Sequence, residues 1–248
     1  MNDSHRLTVI KSVMITKPRK PSVVAVIASL RDFAEIANLP AESFDLCELR
    51  LDLLYRTSEE IETLSREIKS PKIVTVRDPG EGGANALPDA TRVELFERWL
   101  PDCDLIDVEF RNLDRYKELI ERAEANGRQV IVSFHDFVNT PPIERLQEML
   151  DTCEMRESRI FKVATNTSRW QDVETLIRLM QCNSAMRVAA VGMGEFGKLS
   201  RLILPRLGSE LVYGSLSAAV APGQWPVTEL ARILAEIEPA RKSPSALA

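Results

Sequence analysis

The stretch Gln129–Thr165, QVIVSFHDFVNTPPIERLQEMLDTCEMRESRIFKVAT, decides how the chain folds. It opens on a Val- and Ile-rich run, Gln129–Asp136, and passes through the pair Pro141-Pro142. An amphipathic pattern follows over Pro142–Met155, and a second apolar run closes the stretch at Ile160–Thr165. Short apolar runs of this kind read as strands buried on both faces, and a proline at the start of the pattern between them presets a first helical turn. Strand, helix and strand in this order make a unit whose two strands lie parallel.

The same alternation extends in both directions. Further strands are expected at Ser22–Ser29, Leu46–Leu53, Lys72–Asp78, Asp104–Phe110, Arg187–Met193 and Leu211–Leu216, which makes eight. Helical patterns run over Leu30–Leu39, Ser58–Ile68, Ala90–Leu100, Leu113–Asn126, Ser168–Cys182, Phe196–Leu207 and Val227–Ile237, again eight with the one above. Asn112 or Asp114 is the expected N-cap of the helix that Gly127 ends, and Pro226 opens the last helix. The strands start between residues 22 and 211 in seven steps that average 27 residues. Eight such units nearly fill the chain, so the expected fold is α/β: a (β/α)8 TIM barrel forming a single domain over residues 1–238. A doubly wound sheet would usually have fewer strands. Met1–Lys20 is read as a short N-terminal hairpin closing the barrel floor, and 239–248 as a disordered tail.

Composition agrees with a globular chain and excludes several partners. Of 248 residues 44% are apolar and 28% charged, enough to bury a full core, which excludes global disorder and a disulfide-stapled miniprotein. With 32 basic against 37 acidic residues the net charge is −5, the wrong sign for coating nucleic acid or anionic lipid. No apolar run approaches the ~18 residues that cross a membrane, and Met1–Lys20 has no signal-type apolar core, so a cytoplasmic location is expected. Cys47, Cys103, Cys153 and Cys182 form no CxxC pair, which fits reduced core thiols better than a zinc site. Only His5 and His135 are histidines, so any imidazole chemistry rests on His135.

Charged residues inside the strands are the functional signal, because barrel strands should be apolar. Glu48, Arg50 and Asp52 share one parity in the second strand and are expected to point into the lumen together. Arg77 ends the third strand, Asp107 and Glu109 lie in the fourth, His135 ends the fifth and Lys162 sits inside the sixth. Most lie near the carboxyl ends, where barrels build active sites, so the set predicts a pocket for a polar, charged small molecule. Lys162, flanked by Ile160, Phe161, Val163 and Ala164, is starved of water there, which favours the neutral amine that attacks a carbonyl to form an imine. A snorkelling or salt-bridged lysine would have the same neighbours. His135 on the adjacent strand could carry a proton between carbon and a leaving oxygen, or simply hold structure. Two loops flank this mouth: one carries Glu81-Gly82-Gly83, the other Val220-Ala221-Pro222-Gly223-Gln224. Arg201 has the fork that suits a carboxylate.

Six motifs in order resemble the type I 3-dehydroquinate dehydratase family. They are Glu48-Leu49-Arg50-Leu51-Asp52, Arg77 with Glu81-Gly82-Gly83, Ser133-Phe134-His135-Asp136-Phe137, Phe161-Lys162-Val163-Ala164, Met193-Gly194 leading to Ser200-Arg201, and Ala221-Pro222-Gly223-Gln224. The resemblance implies dehydration of 3-dehydroquinate to 3-dehydroshikimate in the shikimate pathway of aromatic amino acid biosynthesis, with no metal and no organic cofactor. It implies that Lys162 forms an imine with the substrate ketone, and that His135 removes the neighbouring carbon-bound proton and protonates the departing hydroxyl. Glu81 would set the state of His135. Arg201 would hold the carboxylate with help from Gln224, while Glu48, Arg50 and Arg77 contact hydroxyls and organise the pocket. A homodimer is implied as well. Many members have a serine where this chain has Val220, a side chain that cannot hydrogen-bond substrate, so the lid contacts are expected to differ. Another imine-forming lyase or aldolase on this fold, or a noncatalytic dehydroquinate sensor, are the competing readings.

Overall fold

The structure is a computed structural model, and it describes residues 20–153, 159–182 and 186–237. The expected hairpin at Met1–Lys20, except Lys20 itself, and the expected tail at 239–248 lie outside the described residues. Eight parallel strands alternate with helices: β1 (Ser22–Ile27), β2 (Leu46–Arg50), β3 (Lys72–Thr75), β4 (Leu105–Glu109), β5 (Gln129–Asp136), β6 (Arg159–Asn166), β7 (Arg187–Met193) and β8 (Leu211–Ser215). The main helices are α1 (Leu30–Ile36), α3 (Ser58–Glu67), α4 (Asp89–Trp99), α5 (Lys117–Ala125), α6 (Ile143–Thr152), α7 (Trp170–Cys182), α8 (Gly197–Arg206) and α9 (Val227–Glu236), with a single turn α2 (Leu51–Leu54) after β2.

Pairing runs β7-β6-β5-β4-β3-β2-β1-β8, and the two ends of that run meet. The Glu210 amide donates to the Val188 carbonyl at 2.9 Å. Ser209 Oγ accepts from the Ala190 amide at 2.9 Å and donates to its carbonyl at 3.2 Å. The seam between β7 and β8 is thus bridged partly by a side chain, which brings the sheet round into a barrel, and the two-residue strand Trp225–Pro226 adds beside β8.

Alternation along the strands sorts the core into two apolar sets. Val23, Ala25, Leu49, Val74, Ile106, Val132 and their like pack outward against the helices. Val24, Ile73, Leu105, Ile131, Ile160 and Ala189 fill the lumen floor. Two residues further along β2 to β6 the lumen turns polar, at Glu48, Thr75, Asp107, Ser133 and Lys162, and the register keeps this layer together: Thr75 lies opposite Asp107, and Ser133 opposite Lys162. The apolar floor and outer layer stabilise the barrel, each fully buried Ile, Leu or Phe by roughly 1.5–3 kcal/mol, so the polar layer above can serve chemistry.

Two expectations need correction. Asp52 does not point into the lumen as part of β2, because that strand ends at Arg50 and Asp52 sits in α2, fully buried. There it turns back to take Arg50 Nε at 2.8 Å and Arg50 Nη2 at 2.7 Å. Neither Asn112 nor Asp114 caps α5, which starts at Lys117 after Tyr116. Asn112 is instead drawn inward, its Nδ2 donating to Glu109 Oε2 at 3.0 Å. An N-cap acts through its side-chain oxygen on the first N–H groups of the helix, and Asn112, five residues before Lys117, stands too early in the chain to reach them.

Candidate active site

Lys162 stands at the centre of the polar layer, carried there by β6 with its side chain pointing down the lumen. Its Nζ donates to Asp107 Oδ2 at 2.9 Å, lies 3.8 Å from Glu48 Oε1, and sits 4.1 Å from the centroid of the Tyr213 ring. The expected buried lysine is therefore an ion-paired one. Asp107 is tied down from three directions: it also takes Ser133 Oγ at 2.5 Å and Arg77 Nη2 at 2.9 Å. Burial alone would push its pKa up, but Arg77 and Lys162 hold Asp107 well below the usual carboxylate range. Glu48 accepts from Thr75 Oγ1 at 2.8 Å.

Arg77 continues this network outward. Its Nη1 donates to Glu109 Oε1 at 3.0 Å and to Ser133 Oγ at 2.7 Å. On the far side of the wall, Arg92 Nη2 from α4 donates to Glu109 Oε2 at 2.7 Å. Arg77 is thus occupied by the protein's own carboxylates and acts on the pocket by holding Asp107 rather than as a free anion receptor.

Glu81 and His135 form the second group. After β3 a 3-10 turn, Pro79–Glu81, is capped by Asp78 Oδ1 accepting from the Gly80 amide at 2.7 Å. Gly82 then adopts φ 87°, and a Cβ on it would lie 2.6 Å from the Phe137 ring. Only glycine allows that left-handed step beneath an aromatic ring, and the step swings Glu81 over the mouth. Glu81 Oε2 accepts the His135 amide at 2.9 Å and contacts His135 Nδ1 at 3.1 Å. An oxygen that already accepts the amide favours the Nδ1–H tautomer, which leaves Nε2 with its lone pair. Burial, with Arg77 and Lys162 nearby, pushes the His135 pKa well below 6.5, so the ring rests neutral. Burial pushes Glu81 up to about 7, although Arg77 opposes it.

These directions set a pH profile. An ionised Glu81 would stabilise an imidazolium at His135, so a reaction in which His135 takes a proton is expected to speed up as pH rises through about 7. In a pH–rate series Glu81→Gln is expected to flatten that limb, and an unchanged limb would assign it to another group. The stability sign is opposite. Because the folded pKa of about 7 exceeds the ordinary 4.5, the native state binds more protons between those values, and the contribution of Glu81 to stability falls as pH rises through them.

Arg201 and the loop after β8 close the pocket. Arg201 projects from α8, is 2% exposed, and turns Nη1 toward four carbonyls: Gly192 at 2.7 Å, Gly197 at 3.1 Å, Gly223 at 2.7 Å and Pro222 at 3.5 Å. Its Nε is buried without a partner, and among the described residues no carboxylate lies within ion-pair distance. Burial pushes its pKa down to about 10, which leaves the guanidinium charged at neutral pH. Gly223, at φ 71°, packs on Gly197 so closely that a Cβ would lie 2.8 Å from that Cα. The loop is anchored where the Ser217 amide donates to Asp32 Oδ1 at 2.9 Å, and again where Trp225 Nε1 donates to the Lys198 carbonyl at 3.0 Å. The Val220 amide donates to Gln224 Oε1 at 2.9 Å, so the side-chain NH2 of Gln224 is left for a ligand. The backbone of Val220 orients the glutamine even though its side chain cannot bond substrate.

All eight residues expected at the site, Glu48, Arg50, Arg77, Glu81, His135, Lys162, Arg201 and Gln224, line one pocket that opens to solvent. Sequence reasoning gave no role to Tyr213, Thr75 or Arg92. Tyr213 read as one aromatic in an apolar run, and only its parity with Leu211, which faces the lumen, could have flagged it. Among the described residues no cluster of three or more His, Cys, Asp or Glu is placed to hold a metal ion.

Fold and site together define a parallel (β/α)8 barrel whose lumen presents an amine beside a histidine–glutamate pair and an unpaired arginine. The family model described as Type I 3-dehydroquinase matches residues 22–240. The 3-dehydroquinate dehydratase of Thermodesulfovibrio yellowstonii is 33% identical over 85% of this chain and 93% of its own length. That of Methanosarcina acetivorans is 36% identical over 87% and 94%. Among solved structures, 3-dehydroquinate dehydratase from Geobacillus kaustophilus superposes with a TM-score of 0.78 at 25% identity, covering 87% of this chain and 90% of that one. Type I 3-dehydroquinate dehydratase from Clostridium difficile, solved with covalently modified comenic acid, gives 0.76 at 25% identity over 89% and 93%. The chain belongs to the type I 3-dehydroquinase family.

Proposed function

We propose that the protein dehydrates 3-dehydroquinate to 3-dehydroshikimate, a hydro-lyase step of the shikimate pathway, through an imine on Lys162. The observation that carries this reading is Arg201: a buried guanidinium without a carboxylate partner opens onto the same pocket as the Lys162 amine and the neutral His135 ring. Such a pocket favours a ligand that is both a ketone and a carboxylate. Dehydroquinate is both, and it carries a hydroxyl two carbons from the ketone.

The Lys162 nitrogen gives up a proton and attacks the ketone carbon; two of its three ammonium protons leave with the carbonyl oxygen as water, and the nitrogen that keeps the third is the cationic iminium. That cation acidifies the proton on the adjacent carbon. His135 Nε2 removes this proton, and the electron pair passes into the enamine. The enamine expels the hydroxyl on the next carbon, and the imidazolium returns its proton to it, releasing a second water. Water then hydrolyses the conjugated iminium, freeing product and Lys162, so one water is lost overall. Glu81 holds the histidine tautomer, Arg201 and Gln224 hold the carboxylate, and Glu48, Arg50 and Arg77 shape the pocket for the hydroxyls. No step calls for a metal or organic cofactor. The one barrel is taken to act as the whole catalytic unit, in the cytoplasm and as a homodimer. Sedimentation should give twice the chain mass.

Incubation with 3-dehydroquinate and borohydride, followed by peptide mass spectrometry, tests the reading. An adduct on Lys162, with product forming in the unreduced control, is expected. Binding without adduct or turnover would favour a sensor. Arg201→Met should raise KM far more than it lowers kcat, by roughly 10²-fold, the scale of a charge-assisted bidentate contact. An unchanged KM would remove the carboxylate from that position.

A further inference from the structure

We infer that the Tyr213 ring is a catalytic element of this site: its face holds the positive charge of the Lys162 nitrogen through the imine stage. The inference rests on the imine chemistry proposed above and adds a residue to it. Tyr213 reaches the lysine from β8, two strands away around the barrel, and places its ring centroid 4.1 Å from Nζ, well inside the range of a cation–π contact. Its hydroxyl is buried and has no hydrogen-bond partner among the described residues. Tyr213 is therefore not held in place as a polar strut, and the contact its side chain makes with a charged group is through the ring face.

The chemistry explains why a ring suits this position. A lysine ammonium has three N–H donors, which here serve Asp107 and lie near Glu48. Once the nitrogen is double-bonded to the substrate carbon it keeps a single N–H, lying in the plane of the new bond. Asp107 can keep that donor, but no further carboxylate can be served by hydrogen bonding. An aromatic face needs no donor. It attracts the charge spread over nitrogen and carbon through the ring quadrupole, above or below the iminium plane. Only the protonated iminium acidifies the neighbouring carbon, so a group that favours that form raises the population from which proton removal starts. The enamine that follows is neutral at nitrogen, and the ring contact then releases its hold without opposing hydroxyl departure.

The test measures the rate at which borohydride traps the 3-dehydroquinate adduct. Tyr213→Leu is expected to lower that rate about tenfold, within the range of a desolvated cation–π contact, and Tyr213→Phe to recover most of it. Because a leucine could also disturb packing, phenylalanine bearing one, two and three ring fluorines at position 213 provides the second arm. These rings share a shape while the negative potential of the face drains away, so trapping should slow at each fluorine while the melting temperature holds. Equal trapping across the fluorine series overturns the inference. A Tyr213→Phe variant as slow as Tyr213→Leu also overturns it and assigns the role to the hydroxyl. If the unaltered protein forms no adduct with 3-dehydroquinate, the proposed function fails, and this inference with it.

Discussion

Lys162→Met should form no borohydride-stable adduct with 3-dehydroquinate and should lose turnover by at least about 10⁴-fold, the scale of removing a covalent nucleophile. Methionine keeps the length and apolar stem of the lysine, so the packing of β6 is retained. Asp107 is not orphaned either, because Arg77 at 2.9 Å and Ser133 at 2.5 Å still bond it. That separates this change from Asp107→Asn, which would leave the buried cations Arg77 and Lys162 short of a counter-charge and could cost about 3–5 kcal/mol of stability. The measurement pairs single-turnover kinetics with a thermal melt. Substantial turnover in a folded Lys162→Met protein would mean that the dehydration does not pass through this amine.

His135→Ala should lose roughly 10²–10⁴-fold in turnover, the usual worth of a positioned acid–base group, yet still yield the reduced adduct on Lys162. The two readouts separate because imine formation needs the amine and the ketone, whereas the next step needs a base at the adjacent carbon. His135 makes its contacts with Glu81 through the backbone amide and Nδ1, so alanine keeps the first and loses the second. Normal turnover would exclude His135 as the proton carrier, and loss of the adduct would show that it also serves imine formation.

The barrel and most of the site could be read in the sequence, and particular residues show why. The alternation around Gln129–Thr165 reports strands because buried parallel strands are apolar on both faces, so a charge such as Lys162 stands out against Ile160, Phe161 and Val163. Parity then predicted that Glu48, Arg50 and Asp52 point into the lumen together, and Glu48 and Arg50 do line the pocket. Asp52 broke the rule because alternation holds only while the strand lasts, and β2 stops at Arg50. Asn112 misled because its side chain suits both a helix cap and a buried carboxylate, and only the fold brings Glu109 within reach. Arg92 had no role in the sequence reading, yet it is buried against Glu109.

Residue identity and periodicity by themselves therefore indicated the fold class and singled out Lys162 and His135 as candidates, because solvent exclusion acts on each strand locally. Which of those charges meet was decided by tertiary structure alone. Lys162 and Asp107 are 55 residues apart in the chain, and His135 and Glu81 are 54 apart. Closing the barrel selects these partners by register and distance. The same closure leaves Arg201 without a carboxylate and sets the Tyr213 ring against the lysine, since what satisfies or strands a buried charge is its neighbours in space.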